Sequence, residues 1–138
     1  MRRDAYDSVD GFDNRLGAGT RSRGGEDLDL FTRVILDGWT LVYEPTSLVW
    51  HTHRGGRLQL QQQMFGYGCG LFAYVTKLLV SRDTRADVVK RIWPAAKWFV
   101  EGRLSEDEAG HSRNLLLREV AGMLYGPFAL LSEHLRRR

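Results

Sequence analysis

Cysteine is nearly missing from this chain. Cys69 stands alone among 138 residues, so neither an intramolecular disulfide nor a cysteine zinc cluster can form, and a reducing compartment is the natural setting. No uninterrupted apolar run reaches about eighteen residues, which leaves no obvious transmembrane helix. Residues 1–20 lack the apolar centre of a secretory signal. There is no P-loop, no G-x-G-x-x-G opening a helix after a strand, no C-x-x-C and no repeat at a fixed period. Ser47, Ser105 and Ser112 sit in no nucleophile context. A large charge of one sign is lacking too. The formal net charge is +3, with both signs mixed and a basic excess only at Arg2-Arg3 and Arg136-Arg137-Arg138. A dedicated nucleic-acid binder would show a denser basic stripe, so no nucleic-acid partner is expected.

What is present centres on Gly24-Gly25-Glu26-Asp27-Leu28-Asp29-Leu30. The glycine pair permits a sharp turn. Leu28, Phe31, Val34 and Ile35 then recur at helical spacing, which predicts a helix over Asp27 to Asp37 closed by Gly38. Glu26 and Asp27 fall at its N-terminus, where the helix dipole and free N–H groups favour an ionised carboxylate. Such a carboxylate beside flexible glycines suits a general base. An ordinary acidic helix start is the plainer alternative. Gly11 to Gly25 reads as a glycine-rich loop that Phe12 and Leu16 pin to the core. Its Arg15, Arg21 and Arg23 could meet phosphates or sugar hydroxyls, or could simply be solvated.

Further stretches stand in order around this motif. Gly11-Phe12-Asp13-Asn14-Arg15-Leu16-Gly17-Ala18-Gly19-Thr20 precedes it; Gly38-Trp39-Thr40-Leu41-Val42-Tyr43-Glu44-Pro45 and Val49-Trp50-His51-Thr52-His53-Arg54 follow. The set resembles the C-terminal half of the catalytic domain of family 2 glycosyltransferases, the inverting GT-A fold enzymes, over about residues 2–54. Asp10 and Asn14 depart from the family pattern. The resemblance implies an α/β fold class and two regions: residues 1–54 as the acceptor side of the catalytic domain, residues 55–138 as a helical C-terminal region. It implies transfer of a sugar from a nucleotide-sugar donor to a sugar or lipid-linked acceptor, as in cell-envelope polysaccharide synthesis. Asp27 would be the base and Glu26 would orient the acceptor, while Asp29 would lie on the helix surface or behind the site. Gly24, Gly25, Arg23 and Trp39 would line the substrate, with core packing as the alternative for Trp39. A divalent cation, magnesium or manganese, would complete the active centre with His51 as a ligand. The donor-binding half and its D-x-D are not among these residues, so the chain reads as a fragment inactive by itself, with no tight cation site of its own. The cytoplasm is the expected location, with peripheral contact to the inner face of the cell membrane.

Elsewhere the pattern predicts strands at Trp39 to Glu44 and Ser47 to His51, since apolar and polar residues alternate. Arg2-Arg3-Asp4-Ala5-Tyr6 suits a short helix. A long helix is expected over Arg57 to Val80, in which Lys77 is the only charge after Met64, and Gly66, Gly68 and Gly70 permit close backbone packing. Another is expected over Asp83 to Val100, kinked or divided at Pro94. A last helix starts from a capping box at Ser105 to Glu108 and is interrupted at Gly126-Pro127. The aromatic and apolar faces of these helices, with the terminal arginines, suit a membrane interface. A second functional expectation follows: a non-catalytic helical module that binds a membrane surface or a partner protein.

Overall fold

The structure, a computed structural model, describes residues 1–50, 56–106 and 113–137. Among the described residues the chain forms helices α1 (Arg3–Asp7), α2 (Glu26–Leu36), α3 (Arg57–Val80), α4 (Arg85–Glu106) and α5 (Arg113–Arg136), and no β-strand. The α/β expectation is therefore corrected to an all-helical fold. Trp39 to Glu44 and residues 47–50 run without a ladder, and Ser47 N–H to Glu44 O is a turn hydrogen bond. Alternating apolar residues specify a strand only where a neighbouring strand takes the backbone groups and one face is covered. Here Val42, Tyr43, Leu48 and Trp50 all face solvent. Residue 51 of the second expected strand lies outside the described residues.

The helix periodicities fare better. Gly25, at φ +87°, precedes the first residue of α2. At the other end Gly38 N–H bonds to Ile35 O and Trp39 N–H to Val34 O, with Gly38 at φ +91°. That is a glycine C-terminal cap of the Schellman type. The expected α3 has the observed bounds. α4 continues through Pro94, and α5 through Gly126 and Pro127. In α5 the reason is tertiary: the helix is clamped to α3 at Gly126, so one lost backbone bond does not end it. Ser105 and Glu106 belong to the end of α4 rather than to a new N-terminus; the rest of that expected capping box falls outside the described residues.

The long helices α3 and α5 run parallel. Phe65 meets Gly122, Cys69 meets Gly126, and Ala73 shares a buried cluster with Leu16 and Leu130, so both residue numbers rise together. Their backbones touch. A β-carbon on Gly122 would stand 2.1 Å from Phe65 O, one on Gly68 2.1 Å from Glu119 O, and one on Gly126 2.5 Å from Cys69 O. Close approach of this kind is available only where side chains are minimal. A second, smaller cluster of Ala5, Leu30 and Val34 holds α1 on α2, with Tyr6, Val9 and Trp39 against it.

The seam makes a sharp stability prediction. Gly122→Ala should destabilise by about 1–3 kcal/mol, the usual cost of overpacking, although alanine is the better helix former by about 1 kcal/mol. Gly102→Ala in α4 meets nothing within 4 Å and should be neutral or stabilising. Urea unfolding of both variants checks this; equal effects would mean that the seam is loosely packed.

Candidate functional site

The residues singled out in the sequence largely meet. Arg23, Gly24, Gly25, Glu26 and Asp27 line one cleft of about 700 Å³, walled on the far side by Gly66, Tyr67 and Gly70 of α3. Asp27 is exposed, and its Oδ1 accepts the Leu28 N–H at 2.8 Å. Glu26 lies against Gly17, its carboxyl carbon 3.6 Å from where a β-carbon there would stand. The Arg23 guanidinium sits 5.0 Å over the Phe65 ring. The glycine pair has a structural use: a β-carbon on Gly25 would lie 2.5 Å from Gly70 O, so these glycines let the loop lie on α3. Trp39 is elsewhere. It packs on the α1–α2 cluster, and its indole N–H donates to Ser8 Oγ at 3.1 Å. His51 lies outside the described residues. Among the described residues no group of three or more His, Cys, Asp or Glu is placed to hold a metal.

The densest chemistry lies behind this cleft. Asp29, expected on the helix surface or behind the site, is only 1% exposed and takes the second of those places. Its Oδ2 takes Arg33 Nε at 2.8 Å and its Oδ1 takes Lys77 Nζ at 2.5 Å. Lys77 Nζ also reaches Asp13 Oδ2 at 2.7 Å. Asp13 is gripped in turn by Arg15, whose Nη2 is 2.7 Å from Oδ2. Arg33 continues the network to the carbonyls of Val9 and Gly11. Burial alone would raise the Asp13 carboxyl, but the Arg15 hydrogen bonds and the Lys77 ammonium outweigh it and hold the pKa well below the ordinary 3.8. Cys69 is buried, which pushes its thiol pKa up, so it is an unreactive cysteine. At the far end of α5, Glu133 is 2% exposed and accepts the Arg21 N–H at 3.1 Å. Among the described residues no buried side-chain polar atom lacks a partner.

Sequence reasoning passed over Asp13, Lys77 and Glu133 as site residues. For Lys77 the signal was visible: a lone charge in an otherwise apolar helical stretch needs a carboxylate when that stretch is buried. Asp13 and Glu133 have arginines close by in sequence, Arg15 for the first and Arg136 and Arg137 for the second, but the partners that tie them across the fold, Lys77 and the Arg21 N–H, are far away in the chain.

Compared with protein-family models, with curated proteins and with solved structures, the chain matches none. The resemblance to family 2 glycosyltransferases is therefore not upheld. The GT-A α/β architecture it implied is contradicted by described residues that are helical without a strand, and nothing in this fold supports the glycosyltransferase description.

The ion cluster predicts acid lability. A carboxyl with a depressed folded pKa contributes stability above its unfolded value and loses it as pH falls through and below that value. Unfolding free energy should therefore decline below about pH 4, and Asp13→Asn should flatten that decline while lowering stability at pH 7. Lys77→Met, which leaves Asp29 and Asp13 with one cation fewer, should cost about 3 kcal/mol or more. Urea titrations across pH test both; an unchanged slope in Asp13→Asn would refute the assignment.

Proposed function

We propose that the chain is a helical module that binds an anionic membrane surface, with the outward face of α5 in the lipid interface. The observation that carries this is an inverted distribution of side chains. The largest fully enclosed side chains are Glu133, Asp29, Cys69 and Ser22, while large apolar residues face outward. On α5 Leu117, Val120, Leu124, Phe128, Leu131 and Leu135 are all exposed, Leu124 by 70% and Phe128 by 69%. They recur every three or four residues and form one stripe. At 1.5 Å per residue the stripe is about 27 Å long.

Length and composition would let α5 cross a membrane, and only 28% of its most apolar window is buried within the protein. An orientation in the membrane plane fits it better. Arg113 and Arg118 lie near one end and Arg136 and Arg137 at the other, and Glu119 and Glu133 are held on the inner side. A helix with an exposed apolar stripe, its opposite side packed on the protein and arginines flanking the stripe, suits an interface. Each arginine near an anionic surface adds about 1 kcal/mol, too little for anchoring unless the stripe inserts as well. Exposed Trp93 and Trp98 on α4 are of the residue type that settles at headgroup depth. The basic ends favour anionic lipid over a partner protein as the surface that covers the stripe.

Co-sedimentation with phosphatidylcholine vesicles, with and without phosphatidylglycerol, tests the reading. The chain should pellet with the anionic vesicles, less so at high salt. The double variant Leu124→Asp/Phe128→Asp should lose at least roughly tenfold in partitioning, since two large apolar side chains no longer enter the interface. Wild type left in the supernatant, or a double variant that pellets equally well, would sink the proposal.

A further inference from the structure

A separate cleft of about 350 Å³ opens between the C-terminal ends of α3 and α5. Its polar lining is Arg15, Thr76, Lys77, Ser81 and His134, and its apolar wall includes Leu131. Leu131 also belongs to the outward stripe of α5, so the cleft is continuous with the face proposed to meet lipid. From this juxtaposition we infer that the cleft takes the phosphate of an anionic phospholipid, with the acyl chain leaving along Leu131. The inference rests on the membrane reading and names the headgroup chemistry of that surface.

The cations are built in place before any ligand arrives. Asp13 takes Arg15 Nε at 3.0 Å and Nη2 at 2.7 Å, which fixes the guanidinium plane. Its Nη1 is thereby left toward His134, 3.4 Å from Nδ1. Lys77 uses its ammonium on Asp13 and Asp29 and still has a third donor. No acidic side chain lines the cleft among the described residues; Asp13 and Asp29 stand behind the cations. Across the network Arg15, Lys77 and Arg33 face Asp13 and Asp29, three positive charges against two negative. The sum favours an anion.

The helix ends oppose an anion: α3 and α5 both end on this side, and the last carbonyls of a helix carry partial negative charge. Those of α3, the nearer to Lys77, are already engaged. Thr84 Oγ1 donates to Leu78 O at 2.6 Å, Arg85 Nε to Leu79 O at 2.9 Å and Arg85 Nη2 to Val80 O at 3.2 Å. A fixed guanidinium beside a second donor suits the oxygens of a phosphate, and charge-assisted bonds to a preorganised site are the strong ones. The apolar wall selects the lipid form over free phosphate.

The His134 ring gives a direct readout by proton NMR. Short-chain dihexanoyl phosphatidic acid, below its micelle concentration, should shift the His134 ring signals in a saturable way. Dihexanoyl phosphatidylcholine should not, and inorganic phosphate should bind at least about tenfold more weakly. Arg15→Gln, with its fold checked by circular dichroism, should weaken the phosphatidic acid titration about tenfold, the worth of one charge-assisted bond. If Arg15→Gln unfolds, Ser81→Glu places a negative charge at the rim and should weaken it similarly. Three results would overturn the site: a His134 signal unmoved by phosphatidic acid, an equal response to phosphatidylcholine, or inorganic phosphate binding as tightly as the lipid. Because the probe is soluble, these outcomes are independent of vesicle binding. Loss of vesicle binding with an intact His134 titration would refute the membrane-surface reading alone, and the reverse would refute the cleft alone.

Discussion

The carbonyl oxygen of Phe65 lies 2.1 Å from where a β-carbon on Gly122 would stand, and this backbone-to-backbone contact decides what the rest of the molecule can be. Where the two backbones touch there is no room for a larger side chain, and the residues at the contact are Gly68, Gly122 and Gly126, with Cys69 and Ala73 opposite. Met64, Met123 and Leu130 are buried beside this strip, while most of the larger apolar residues of α5 point away. In water each such side chain gives up the burial that normally stabilises a helix, about 25 cal/mol per Å² of apolar surface. Small-residue seams with large residues outside are the arrangement that helix pairs adopt where lipid covers the outer face. The exposed stripe thus follows from the seam, and the membrane proposal follows from the stripe.

The same economy of space sets the polar interior. α3 offers glycines on a second side as well, and there Gly24 and Gly25 lie on Gly70. That contact draws the loop of residues 11–25 onto the middle of α3 and carries Asp13 to Lys77. α2 starts from the same turn, so Asp29 arrives from the other direction. One ammonium is then shared by two carboxylates that are distant in the chain. A buried cluster of this kind is weak as net stabilisation, because desolvation offsets most of the attraction. Its effect is to make one docking of the loop far better than any other, since each alternative leaves a charge unpaired in a dry place.

How much of this was legible depends on whether the controlling partner is near or far in sequence. α2 and α3 were readable because their signals are local: Gly25 and Gly38 bracket the first, and an apolar face at helical spacing from Arg57 to Val80, kept despite Gly66, Gly68 and Gly70, marks the second. Of the two apolar residues expected to pin the loop, Leu16 is buried, whereas Phe12 is 47% exposed and makes an edge contact with Tyr6. The strands failed because alternation at Trp39 to Glu44 describes a competent strand but supplies no neighbour. Pro127 failed as an interruption because the clamp that overrides it sits on α3. The candidate site divides the same way. Arg23 through Asp27 are contiguous, so their sharing a cleft follows from one turn, whereas Trp39 was drawn by Ala5 and Val34 into a different cluster. For Asp29 the helix wheel gives a direction away from Asp27 but not the Arg33 and Lys77 that stand there. The family resemblance drew on motif order alone, and motif order carries no test of the fold that the motifs require.

The loop and the long helices are also joined at a point where neither the seam nor the ion cluster acts. Glu133, on the inner side of α5, accepts the Arg21 N–H, while Arg136 and Arg137 approach the same carboxylate at 3.9 Å and 3.5 Å. The last turn of α5 is thereby tied to the loop that carries Arg15, and His134 lies within that turn. A binding face assembled from two distant segments ordinarily loses entropy on meeting its ligand, because the segments must first be brought to register. Here Glu133 on one side and Asp13 on the other hold Arg15 and His134 in register in the absence of any ligand. Glu133 therefore serves the proposed lipid face: its charge stays on the inner side, away from the apolar stripe, and it ties the loop of Arg15 to the turn of His134 at the stripe's end.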